Sequence, residues 1–291
     1  MLLAILSPAD TPLKQTLKIT MFQLTSPTLL LLFFIYLINT AATCEDDIQI
    51  GTSPDDFTKK MREELGDLLS STIVVNTTQF PIVPNAAPYD SAYWYLQTLY
   101  NQATELVHSD RSSMESKRWS ATREWKIYII NDDIKRNAFT VPGGDFFITT
   151  GLLKSLDKEY EIYYLMAFEA VNVHSHFLVD NLIAEYSTFN LIRIIESTET
   201  TSNPSLLDIA NAIKNELTYE NDVIKEIDRK TGELICETSI FDRFGISPLL
   251  ENQASQEQWR DTRPSYSDRL EYLNTLNIVD CGAIKATGAY K

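Results

Sequence analysis

The stretch from Trp125 to Asp180 constrains this chain more than any other part of it. It reads WKIYIINDDIKRNAFTVPGGDFFITTGLLKSLDKEYEIYYLMAFEAVNVHSHFLVD. Trp125, Ile127 and Ile129 alternate with Lys126 and Tyr128, the period of a half-buried strand, so residues 124–131 are predicted to be one. Pro142-Gly143-Gly144 predicts a turn, because glycine enters positive φ without the clash a Cβ would bring. Residues 146–150 form a second predicted strand, ended by Gly151. Residues 158–180 then place Ile162, Leu165, Met166, Glu169 and Val173 on related faces of a long helix. The remaining periodic segments read as helices. The class is therefore α+β and mainly helical, with a small sheet beside one long helix.

Those helices are predicted over residues 57–70, 92–108, 182–195, 205–228, 233–244 and 265–276. Pro204 starts the fourth, since a proline loses no bond at the first helical turn. Lys230-Thr231-Gly232 is read as a break between the fourth and the fifth. Residues 77–88, with three prolines, are irregular chain.

Of the 291 residues, 44% are hydrophobic, enough for one sizeable core without disulfide staples. The formal charge of -15 argues against nucleic acid or an anionic membrane surface as partner, because both need clustered Lys and Arg. There is no G-x-S-x-G, no phosphate-binding Gly-rich loop and no cysteine with a suitable histidine, so those chemistries lack a starting point.

Leu29 to Ile38 (LLLLFFIYLI) is an unbroken apolar run followed by small residues and Cys44. A spanning helix needs about 20 apolar residues and a signal-peptide core roughly 7 to 15, so the run fits the second. Translation from Met1 supplies Lys14 and Lys18 as a positive flank; translation from Met21 gives an ordinary leader length without one, and both remain open. Residues 1–44 are thus read as a signal peptide or N-terminal anchor and residues 45–291 as one domain. Cys44 also stands where an exported lipoprotein carries its acyl chains, although Ala41-Ala42-Thr43 is a poor version of that signal. The expected location is periplasmic or cell-envelope associated. Export would permit a disulfide between Cys236 and Cys281; two unpaired thiols is the alternative.

Asn137-Ala138-Phe139, Pro142-Gly143-Gly144 and Gly151-Leu152-Leu153 resemble, in order and spacing, the HtpX- and BepA-like zinc metallopeptidases. These are relatives of the mitochondrial Oma protease and the CAAX prenyl protease. In that pattern G-L-L is followed by an acidic helix bearing H-E-x-x-H. Near the C-terminus Thr262-Arg263-Pro264-Ser265 with Arg269 resembles T-H-P-S and a downstream Arg. The similarity runs from about Tyr95 to Leu276 and implies a zincin-like metallopeptidase domain.

It also implies chemistry that the residues here do not continue. Catalytic zinc takes three protein ligands and activates a water. Phe168 and Asn172 stand at the two histidine positions, and Glu169 alone remains, as a vestigial general base. The third ligand of such enzymes is a Glu four residues before an Asp, as E-x-E-A-D, continuing R-L-G. Asp242-Arg243-Phe244-Gly245 fits that continuation and puts Thr238 at the ligand position; Asp222 would put Thr218 there. No metal or other cofactor is therefore expected, although the resemblance implies zinc. His174 and His176 are read as helix-surface or interface residues, His176 sharing a face with Asn172.

The leading expectation is an exported, non-catalytic homologue that binds a polypeptide or envelope protein. Phe146, Phe147 and Ile148 would offer a strand edge to that peptide, and the N-terminal segment or a lipidated Cys44 would supply membrane attachment. The alternatives are a working metalloendopeptidase with a relocated metal, and an assembly component of the envelope.

Overall fold

In the computed structural model the described residues are 57–109, 124–197, 204–217, 219–237 and 266–276. The chain divides into two compact units, Met1–Ile50 and Gly51–Lys291, and all described residues lie in the second. The readings placed on residues 1–44, on Arg243 and Arg263, and on Thr218, Thr238 and Cys281 fall outside them.

The architecture is mainly helical with a small sheet, as the alternation and spacing predict, and the sheet has three strands where two are expected. In chain order the elements are α1 (Lys59–Val75), α2 (Asp90–Ser109), β1 (Ile127–Ile130), β2 (Ala138–Thr140), β3 (Phe146–Thr149) and α3 (Thr150–Ser155). They continue with α4 (Glu159–His174), α5 (Phe177–Tyr186), α6 (Thr188–Glu196), α7 (Pro204–Asn211), α8 (Asn221–Glu237) and α9 (Tyr266–Thr275). A π turn over Ala212–Glu216 extends α7.

The sheet order is β1-β3-β2, with β1 parallel and β2 antiparallel to β3. β3 is therefore the central strand. Each of its residues is buried, and Phe147 stacks between Tyr128 and Phe139 at 4.9 and 5.2 Å. This corrects the expectation that Phe146, Phe147 and Ile148 present an edge: neighbours occupy both sides of the strand. The strand that takes the edge instead, β2, is three residues long and too short for a period of two to register.

The Pro-Gly-Gly turn is fastened from three sides. Gly143 and Gly144 have φ of 90° and 94°. Tyr100 of α2 donates its hydroxyl to the Gly144 carbonyl at 2.6 Å. Asp145 accepts from the Ser70 hydroxyl at 2.6 Å and from the Lys126 amide at 3.0 Å. A Cβ on Gly66 of α1 would lie 1.5 Å from the Pro142 oxygen, so only glycine allows α1 this close to the turn.

The long helix begins where Glu161 accepts from the amides of Asp157 and Lys158 at 2.8 and 3.0 Å, which satisfies two otherwise orphaned donors. It is buried on nearly every side, against α2 and β2 and beneath α8. It stops at His174, earlier than predicted: Ser175 caps it and His176 takes φ of 65° before α5 starts. His176 is thereby removed from the helical face of Asn172. His174 is buried within the chain, which corrects the helix-surface half of its reading as a helix-surface or interface residue.

Two further boundaries differ from the periodicity. The predicted helix 182–195 is broken at Ser187, whose φ is 65°. The predicted helix 205–228 is two elements, and α8 passes through Lys230-Thr231-Gly232 without a break. Thr231 is buried there and returns its hydroxyl to the Ile227 carbonyl at 2.7 Å. Tertiary burial of Ile224, Ile227, Leu234 and Ile235 outweighs the roughly 1 kcal/mol that an internal glycine costs a helix.

Candidate functional site: the α4–α8 interface

Successive turns of α4 present Tyr164, Phe168 and Asn172 on one face, since residues four apart lie above one another. α8 packs across that face, and two hydrogen bonds fix its direction. Tyr164 donates to Asp228 at 2.5 Å, and Asn172 Nδ2 donates to the Tyr219 hydroxyl at 3.1 Å. As α4 advances from Tyr164 to Asn172, its partner chain retreats from Asp228 to Tyr219. The two segments are therefore antiparallel, and the register these bonds define matches Phe168 with Ile224, one turn before Asp228. Both side chains are almost wholly buried, at 1% and 0% exposure.

A third element closes the cluster. Arg269 of α9 donates from Nε and Nη2 to the Asp228 carboxylate at 2.8 and 2.7 Å. The same guanidinium sits 5.1 Å from the centroid of the Phe168 ring, within cation–π range. Burial, with the Asp228 carboxylate beside it, pushes the Tyr164 phenol well above its ordinary range, so it stays a donor. The cluster is built on a neutralised charge pair, an aromatic ring and a phenol.

Glu169 points the other way, towards the sheet. It is buried, and its Oε2 accepts from the Thr140 hydroxyl at 3.0 Å. Its carboxylate and that of Asp145, after burial itself, raise the pKa of Tyr100 well above the usual phenol value. Asn172 is buried as well, and its Oδ1 accepts no hydrogen bond among the described residues.

The three histidines do not join this cluster. His108 at the end of α2 lies 5.7 Å from His174 and 5.2 Å from Trp125, ring centroid to centroid. Burial lowers the pKa of His108, and Lys59 adds to the effect.

The zinc implied by the resemblance does not fit these residues. Phe168 and Ile224 carry no donor atom, Asn172 offers only a neutral amide oxygen, and a guanidinium lies where it would repel a divalent cation. Among the described residues no three His, Cys, Asp or Glu side chains group to hold a metal.

Sequence reasoning missed Asp228 and Ile224. The signal was present: Ile224-Lys225-Glu226-Ile227-Asp228-Arg229 carries the E-x-D-R part of the metallopeptidase pattern, starting two residues after Asp222. The supposed helix break at Gly232 drew the reading towards Asp242 instead.

The family model described as peptidase family M48 matches residues 101–276. That range takes in the sheet, the long helix, α8 and α9. No curated protein matches the chain.

Proposed function

This chain belongs to peptidase family M48, and from that premise we propose that it is a non-catalytic member that binds a polypeptide rather than cutting one. One observation carries the reading: the α4–α8 face holds Phe168 beneath the Arg269–Asp228 pair, where a metallopeptidase needs donor atoms. On this reading the ligand positions are Phe168, Asn172 and Ile224, the last four residues before Asp228 as E-x-E-A-D requires. Glu169 is a relic of the general base, and with no metal-bound water its role is to hold Thr140 and the sheet against α4.

The same proposal places the protein outside the cytoplasm, attached to or released from an envelope membrane through its N-terminal segment. Cys236 is disulfide-bonded, its partner lying outside the described residues, and protein disulfides persist in oxidising compartments. Among the described residues no helix is long and apolar enough to cross a membrane, so attachment would rest on the segment before them.

The test is metal analysis of the purified protein beside a casein digest followed by mass spectrometry. The expected result is zinc well below one ion per chain and intact casein. One zinc per chain, lost on His176→Ala together with chelator-sensitive cleavage, would overturn the proposal.

A further inference from the structure

With β3 enclosed, a polypeptide needs another edge, and the outer edge of β1 is held in an unusual way. In a strand pair whose even residues face one neighbour, the odd residues turn their N–H and C=O groups to the other side. Along β1 the segment before α2 supplies partners for the far end only: Val83 donates to Ile129 at 2.8 Å and Asn131 to Pro81 at 2.7 Å. That pairing ends at Val83, whose carbonyl accepts from the Tyr93 hydroxyl at 2.6 Å instead of from the Ile129 amide. From there the edge is completed by side chains of α2. Gln97 accepts from the Ile127 amide at 3.1 Å and donates to the Trp125 carbonyl at 2.8 Å, and Tyr93 accepts from the Ile129 amide at 3.1 Å.

The Gln97 carboxamide thus makes the two bonds that the main chain of an added strand would make. Beside it lies a groove of about 580 Å³ lined by Trp94, Tyr93, Gln97, Pro84, Ile127 and Tyr128, within the size range of ligand sites. Trp94 is 71% exposed, which for the largest apolar side chain is a departure from ordinary burial. Asp90, Glu124 and Lys126 also line it, two acidic groups to one basic, on a chain of formal charge -15.

We propose that this groove is where an extended, basic polypeptide segment docks, adding a strand to the outer edge of β1 in place of Gln97 and laying an apolar side chain on Trp94. The proposal rests on the polypeptide-binding reading above and gives it a location. The occupant is extended because the vacated bonds are main-chain bonds in strand register. It is basic because the rim and the whole chain are acidic. It alternates, because every second side chain would face Trp94 and Tyr128 while the others face solvent.

The probe is a dansylated decapeptide of alternating lysine and valine, titrated into the full chain and followed by fluorescence anisotropy. Saturable binding is expected, weakened about tenfold by Trp94→Ala, as for an interface aromatic anchor, and largely restored by Trp94→Phe. Gln97→Ala should bind as well as the parent or better, since it removes the competing surrogate. The same peptide N-methylated at alternate residues should fail to bind. Failure of the parent peptide to bind, an unchanged affinity in Trp94→Ala, or equal binding of the N-methylated peptide would overturn the groove. Zinc content and peptide integrity, read on the same samples by mass spectrometry, decide the non-catalytic reading separately.

Discussion

Arg269 reaches across from α9 to clamp the Asp228 carboxylate with two bonds while its guanidinium plane covers the Phe168 ring. The side chains of this pair are 6% and 0% exposed. A buried pair gains little over an apolar substitute, because desolvation consumes most of the Coulomb attraction, but removing one member strands the other's charge. Arg269→Ala should therefore lower unfolding free energy by about 3–5 kcal/mol. The pair Asp228→Asn with Arg269→Met should cost less than Arg269→Ala alone. Urea unfolding of the parent, the single variants and the double variant supplies the comparison; a double-variant cost equal to the sum of the two single costs would mean the pair is not coupled.

The assignment of Ile224 as the third ligand position makes a gain-of-binding prediction. Zinc needs three protein donors converging on one point. Phe168→His and Asn172→His with Ile224→Glu should take up chelatable zinc when refolded in its presence, whereas the two histidine changes with Thr238→Glu should not. Phe168, Asn172 and Ile224 are buried, so proteins altered there will be less stable than the parent. Equilibrium dialysis against zinc reads the uptake directly, and the reverse pattern would return the ligand position to Thr238.

Gly66 sets the spacing between α1 and the Pro-Gly-Gly turn. An added methyl meets backbone rather than a yielding side chain, at 1.5 Å from the Pro142 oxygen. Helix propensity alone would make Gly66→Ala stabilising by up to about 1 kcal/mol. Overpacking against main chain, typically costing about 1–3 kcal/mol, should reverse the sign. Thermal unfolding of Gly66→Ala tests this, and a raised Tm would show that the turn yields.

How much of this was legible depended on what each feature needs from its neighbours. The strands around Tyr128 and Phe147, the turn at Gly143 and Gly144, and the helix through Phe168 follow from local periodicity and turn chemistry. The family follows from spaced motifs that survive the loss of His and Glu ligands. The strand at Phe139 did not register because three residues fill less than two periods. His176 and Ser187 interrupt helices through positive φ on non-glycine residues, which no propensity favours and only packing imposes. Gly232 failed to break α8 for the converse reason, burial of the flanking face. The Asp228–Arg269 pair joins residues on separate helices, and its run was readable only with the long helix already placed beside it.

His108 gives the fold a dependence on pH whose sign can be stated. Its imidazole, packed between Trp125 and His174, is held below the usual value of 6.5 by burial first and by the Lys59 cation second. The folded state therefore binds this proton less readily than the unfolded chain. Above pH 6.5 both states are neutral at this residue and its contribution to stability is complete. As pH falls through that value the unfolded state takes up the proton first, and stability declines until the folded-state value is passed. Urea midpoints measured between about pH 7.5 and pH 5.5 should fall for the parent and fall less for His108→Gln, which removes the titrating group while keeping a polar side chain. Carboxylates add a decline of their own at the acid end, so the reading is the difference between the two proteins. Parallel midpoints across that window would show that His108 has the same proton affinity folded and unfolded.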